Sequence, residues 1–280
     1  MTTVEARRRR GSRLLRLGWS RAVYETRVYF RQGDTIFFTF LFPILFLTIF
    51  SVAFSAATFG ENPDGSGGIS AAAFYLPGMV AAGILLSGVQ NLAVDIAMER
   101  SDGTLKRLAG TPLPVASYFL GKFGQVLITS VLQIALLLLV ARVVFGVELP
   151  TEGGRWATFA WVYLLGIMTS AVLGIALSRA PRTGKSATAV IIPIVLVLQF
   201  ISGVYLQFSM LPEWLQNVAG AFPLKWMAQG MRAVFLPEDF ALVEQTGGWD
   251  LGTVALVLGL WLVVGAVACR VTFRWIRKDS

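Results

Sequence analysis

The chain has 280 residues, of which 55% are apolar and 14% charged, too little polar material to cover a water-soluble globule of this length. The formal net charge is +8, histidine is absent, and Cys269 is the lone cysteine. Intramolecular disulfides, His-ligated metal or haem, and Ser-His or Cys-His catalysis are thereby excluded.

Read from the N-terminus, the block RRRRGSRLLRLGWSR stands about twenty amphipathic residues ahead of the first long apolar run, whereas a cleaved signal places its apolar region directly after the basic residues. At 100° per residue, Arg13, Arg16, Arg27 and Arg31 share one face, and Leu15, Trp19, Val23, Thr26 and Phe30 share another. The pattern predicts an interfacial helix over residues 12–32, lying on an anionic leaflet. A membrane-spanning helix needs roughly 20 mostly apolar residues. Six intervals free of Asp, Glu, Lys and Arg qualify: between Asp34 and Glu61, Asp64 and Asp95, Lys122 and Arg142, Arg155 and Arg179, Lys185 and Glu213, and Asp250 and Arg270. The expected fold class is all-α, a polytopic membrane protein of six transmembrane helices.

Basic residues cluster on alternate loops. Nine Arg precede the first span; Arg100, Lys106, Arg107 and Lys122 follow the second; Arg179, Arg182 and Lys185 follow the fourth; and Arg270, Arg274, Arg277 and Lys278 follow the sixth. The positive-inside rule then expects both termini in the cytoplasm. This placement also turns the positive charge towards the membrane surface and away from a nucleic-acid partner.

Along the first span, Phe38, Phe42, Phe46, Phe50 and Phe54 recur every four residues and form a ridge, read either as helix packing or as the wall of a substrate route. Asp95 and Arg142 lie near span ends, where snorkelling or capping is expected. The loop from Glu99 to Lys122 is unusually organised. Asp102 and Gly103 suit a turn, Thr104 suits a cap, and Leu105, Leu108 and Ala109 face away from Lys106 and Arg107. Pro112 and Pro114 then stop that short helix, and Ser117 suits the next cap. In the fourth span, Gly166, Ser170, Gly174 and Ser178 form a small-residue packing stripe. Gly184, Lys185 and Ser186 spell GKS, but Arg179 stands where a phosphate loop needs glycine, so no nucleotide site is expected there. The stretch Trp214 to Phe235 contains Lys225 and Arg232 and is broken by Gly220 and Pro223. It is expected to form a re-entrant helical hairpin before the last span, with Pro212 starting one helix, Pro237 ending the other, and Glu213, Lys225 and Arg232 facing headgroups or water.

The Glu-Arg, Gly-Thr-Leu and Thr-Pro elements of the Glu99 to Lys122 loop, together with Ile201 to Pro237, resemble the permease subunits of type-2 ABC exporters, the group that includes daunorubicin-resistance and polysaccharide or lipid export permeases. The resemblance covers nearly the whole chain and departs at Gln207 and Phe208, where many relatives carry a Phe-Pro or similar pair. It implies a single transmembrane domain over residues 1–280, a cytoplasmic coupling loop over 99–116 and an external hairpin over 207–248. Glu99, Arg100, Gly103, Thr104, Leu105, Lys106 and Leu108 would contact a cytoplasmic ATPase subunit. Pro212, Glu213, Pro223 and Arg232 would belong to the external hairpin. ATP and magnesium would sit on that partner, leaving this chain with no catalytic residue, metal or cofactor. A second permease chain, identical or related, would complete the route through the bilayer of a bacterial plasma membrane. The implied activity is ATP-driven export of a hydrophobic or amphipathic drug or lipid-like molecule, with polysaccharide or glycolipid export as the alternative. An ion-coupled secondary transporter would need coupling charges at mid-span, which the spans lack.

Overall fold

The long apolar runs become helices in a computed structural model that describes residues 3–61 and 67–272. Arg274, Arg277, Lys278 and Asp64, and the side chains of Arg7 to Arg10, lie outside the described residues. In chain order the helices are α1 (Thr3–Tyr29), α2 (Gly33–Ala53), α3 (Ala71–Ser101), α4 (Thr104–Ala109), α5 (Val115–Val143), α6 (Gly153–Leu177), α7 (Gly184–Ile201), α8 (Glu213–Gly220), α9 (Pro223–Phe235) and α10 (Leu251–Thr272). An antiparallel pair, β1 (Phe59–Glu61) and β2 (Gly67–Ile69), joins α2 to α3 with Phe59 opposite Ile69. Among the described residues six helices, α2, α3, α5, α6, α7 and α10, are long and apolar enough to cross a membrane, as the charge-free intervals led us to expect.

Helix α3 is the centre of the bundle. Its most apolar window is 89% buried, against 22% for α2 and α7 and 17% for α10, so the last three present their outer faces to lipid or to another chain. Two spans outrun the intervals that announced them. Helix α3 continues through Asp95 and Glu99, and α5 starts at Val115, ahead of Lys122, because these charges pair with one another inside the bundle.

The crossing of α3 and α6 is set by small residues. A π-helical turn interrupts α3 at Leu86–Asn91. A Cβ on Gly88 would lie 2.4 Å from the Ser170 Cβ, and one on Gly174 would lie 2.3 Å from the Gly88 carbonyl oxygen. The backbones touch, so the Gly166 to Ser178 stripe is a packing seam.

Helix α1 packs along α5 and uses a face other than the two read from its sequence. Ala22, Glu25 and Tyr29 are buried there, and Gly18 packs against Leu120. Gly121 and Gly124 admit α1 closely, since a Cβ at either would meet Arg21 or Ala22 within 2.7 Å. Leu15 and Trp19 remain 65% and 69% exposed, which leaves the lipid-seeking face uncovered by protein. The Ser117 hydroxyl donates to the Leu14 carbonyl of α1 (3.1 Å) and does not cap α5, whose first turn follows Pro114.

The hairpin of α8 and α9 corrects a second expectation. Glu213 is exposed, but Lys225 and Arg232 on α9 are 1% and 8% exposed and face protein, because α9 inserts between α3, α6 and α10. The Lys225 ammonium donates to Gln229 Oε1 and sits 3.6 Å from the centroid of the Trp226 ring and 5.3 Å from that of Phe208. Arg232 pairs with Glu244 and donates to the Gly203 carbonyl (3.4 Å), tying α9 to the end of α7. Pro223 is the first residue of α9, and Pro212 immediately precedes α8.

Two outcomes follow from this packing. Gly174→Val lowers the thermal stability of the detergent-solubilised chain by about 2 kcal/mol through overpacking, whereas Gly259→Val, at an open site on α10, leaves the melting temperature unchanged. Burial pulls the Lys225 ammonium down to about 8; nearby Arg232 adds to the effect, and Glu244 and Asp250 oppose it. Because this lies below the ordinary lysine value, the folded state carries a cost at neutral pH that fades as pH rises through 8. Between about pH 7 and about pH 9.5 the parent therefore gains stability relative to Lys225→Met; a gap that stays constant with pH contradicts this.

Candidate functional site

The connector after α3 is built by local hydrogen bonds. Gly103 has φ +79°, the left-handed conformation that glycine adopts freely. The Thr104 amide donates to Asp102 Oδ1 (2.8 Å), so Asp102 supplies the capping oxygen expected of Thr104. Slight burial opposes ionisation of Asp102, but the hydrogen bonds from Thr104, aided by Arg107, outweigh it and hold the carboxyl below its ordinary value. Within α4, Leu105 is buried, Leu108 is half-buried, and Lys106 and Arg107 are exposed. The Arg100 guanidinium donates to the Pro181 carbonyl (2.8 Å), joining this connector to the one before α7.

Beneath α4 lies a buried ion cluster. The fully buried Lys122 ammonium on α5 lies 2.8 Å from Glu25 Oε2 on α1 and 2.8 Å from Glu99 Oε1 on α3, and it also donates to Asp95 Oδ2 on α3. The Tyr118 hydroxyl donates to Glu99 Oε2 (2.6 Å). Arg21 pairs with Glu25 and lies 3.6 Å from Glu99. The carboxylates of Glu25, Asp95 and Glu99 approach one another within 4.8 Å, a spacing that would also suit a metal ion, but the Lys122 ammonium lies among them.

Sequence reading placed Glu99 and Arg100 on the coupling surface. The structure points the Glu99 carboxylate inward and leaves Lys106 and Arg107 as the outward charges. Asp95 neither snorkels nor caps; its partner is Lys122. Arg142, at the end of α5, reaches the Val147 carbonyl (3.4 Å) as a cap would. The residues missed were Arg21, Glu25, Tyr118 and Lys122. Their signal was available in the four-residue spacings of Arg21 with Glu25, Asp95 with Glu99, and Tyr118 with Lys122.

A cavity of about 550 Å³ lies between α1, α2, α3 and α7, beside the cluster. Phe38 and Phe42, at the start of the phenylalanine ridge, line it. The rest of the ridge packs against protein: Phe46 lies 5.0 Å from the Tyr205 ring, Phe50 lies 4.6 Å from Tyr75, and Phe54 lies 6.0 Å from Tyr75. Phe46, Phe50 and Phe54 thus pack within the bundle, and Phe38 and Phe42 border the cavity.

Comparisons with known proteins agree with this architecture. Residues 62–269 match the family described as ABC-2 family transporter protein. The probable multidrug ABC transporter permease YbhR of Escherichia coli K12 is 21% identical over 66% of this chain, a stretch that spans about half (50%) of YbhR. The putative transport permease ycf38 of Cyanophora paradoxa is 25% identical over 89% of this chain and 83% of its own length. The inner membrane transport permease YadH of Escherichia coli K12 is 21% identical over 79% and 85%. With six apolar spans in place and a family match over well more than half its length, this multi-pass membrane chain belongs to the ABC-2 family of transporter proteins.

Proposed function

We propose that the chain is the permease subunit of an ATP-driven exporter in a bacterial plasma membrane, with both termini cytoplasmic, and that it moves a hydrophobic or amphipathic molecule outward. The ABC-2 permease family has no ATPase domain of its own, and ABC permeases pair with ATPase subunits. In this reading α4 docks in a groove on the ATPase. Leu105 anchors the helix from within, and exposed Lys106 and Arg107 meet the partner's acidic groups. The observation that carries the proposal is the placement of α4 directly after the ion cluster: a displacement of α4 acts on Glu99, and through Lys122 on α5 and α1 together. Glu99 is then a positioning residue, not a docking one.

The orientation rests on the nine Arg before α2 and on Arg179, Arg182 and Lys185 before α7. Pairing with a second permease chain is supported by the outer faces of α2, α7 and α10, which are largely uncovered. The half-open cavity of about 550 Å³, with aromatic rings on its wall, supports a compact drug or lipid-like cargo over a polysaccharide chain.

The test is ATP-driven efflux from proteoliposomes containing the permease and its ATPase. Lys106→Glu combined with Arg107→Glu weakens ATPase binding at least about tenfold and abolishes efflux, with membrane insertion and melting temperature preserved. Gly103→Pro, placed where φ is +79°, breaks the turn and has the same effect on efflux. Normal efflux by both variants, or efflux driven by an ion gradient without nucleotide, overturns the reading.

A further inference from the structure

The cavity between α1, α2, α3 and α7 has a charge character that the exporter reading does not require. Three carboxylates line it, Glu25, Asp34 and Asp95, and among the described residues no Lys or Arg does. Lys122, which pairs with two of these carboxylates, is fully buried and does not line the cavity. Counting the cluster, three carboxylates (Glu25, Asp95, Glu99) face two cations (Arg21, Lys122), which leaves one negative charge in excess. Asp95, 39% exposed at its side chain, is the cluster member turned most towards open space. Asp34 adds a further charge from the first turn of α2.

A second observation is independent of the acids. Gln199 of α7 lines the same cavity and is 1% exposed; its Oε1 accepts from the Tyr205 hydroxyl (2.6 Å), but its Nε2 has no hydrogen-bond partner among the described residues. A buried donor left unmet costs on the order of 1–3 kcal/mol, a penalty that only an acceptor atom relieves, such as an ether or carbonyl oxygen on the body of a ligand. The remaining wall combines amide and hydroxyl side chains, among them Gln90, Asn91 and Gln125, with an apolar stretch to which Phe38 and Phe42 of α2 and Ile192 and Leu196 of α7 contribute. Ring faces attract cations and repel anions, and a space of about 550 Å³ suits a single small molecule.

We propose that this cavity binds lipophilic cations, a quaternary or protonated centre carried on an aromatic body, with the charge towards Asp95 and Asp34 and the body between Phe42 and Leu196. This names the substrate class of the proposed exporter and draws its physiological meaning from that reading. Anions of the same shape are refused by the carboxylates. A divalent metal is refused because the Lys122 ammonium already stands among the carboxylates that would hold it.

The probes are tetraphenylphosphonium and tetraphenylborate, which share a shape and differ in the sign of their charge. Binding to the full chain in phosphatidylcholine nanodiscs is measured by equilibrium dialysis, with uptake by empty nanodiscs subtracted. Tetraphenylphosphonium binds saturably and at least about tenfold more tightly than tetraphenylborate. Asp34→Asn, at an exposed site outside the ion cluster, weakens it about threefold, and Phe42→Ala weakens it by a similar factor. Equal binding of the two ions, or tetraphenylphosphonium binding unchanged in both variants, overturns the proposal. Because no nucleotide or ATPase is present, that failure is separate from failure of the exporter reading, which shows as lost nucleotide-driven efflux while cation binding persists.

Discussion

A lysine ammonium with no exposure to solvent, within the N-terminal part of α5, constrains more of this chain than any other group. Lys122 cannot remain charged and unpaired inside the bundle, since an uncompensated buried charge costs several kcal/mol. Its partners come from two other helices: Glu25 from α1, and Asp95 and Glu99 from α3. The register of α1 against α5 follows from this, and Gly121 and Gly124 permit the close approach that the short contacts need. Tyr118 and Arg21 complete the coordination of Glu99 and Glu25. The connector that carries α4 is thus seated on a three-helix joint, and α1 is part of the mechanical core of the domain as well as a surface helix.

The opposite half of α3 meets a second buried polar assembly. Lys225 lies against Trp226 and Gln229, and Arg232 against Glu244, all on or beside α9. Between the two assemblies the π turn at Leu86–Asn91 is where α3 and α6 touch through Gly88 and Gly174. Helix α3 therefore connects a charged joint at one end, a close backbone crossing at mid-length and a buried hairpin at the other, which accounts for its near-complete burial. The cavity lies at the charged end, flanked by the sparsely covered helices α2 and α7.

The parts of this arrangement that depend on length and composition were legible in the sequence. The six spans announce themselves because each needs a bilayer's worth of apolar residues. The turn at Asp102 and Gly103 was legible because glycine marks left-handed backbone. What pairs across helices was not legible. Counting charge-free intervals ended α3 at Asp95 and started α5 at Lys122, since a charge read alone marks water, whereas charges read together cancel. The same limit applied to Lys225 and Arg232, whose partners Gln229 and Glu244 become visible only when α9 folds into the bundle. On α1, the basic and apolar stripes drew attention away from Gly18, Ala22, Glu25 and Tyr29, the narrower face that α5 covers. Glu99 was read as part of the coupling surface, and its inward direction depends on Lys122 and Tyr118, which lie about twenty residues further on.

The joint at Lys122 is tested most directly by a double-mutant cycle on thermal unfolding of the purified chain, with Lys122→Met, Glu25→Gln and the pair. Lys122→Met alone leaves three clustered carboxylates without their ammonium and should cost about 3–5 kcal/mol. Removing one of those carboxylates with Glu25→Gln should restore part of the loss, so that the double variant melts above Lys122→Met, with a coupling of about 1 kcal/mol or more. Costs that add, with the double variant melting below either single one, would contradict a shared buried cluster joining α1 to α5.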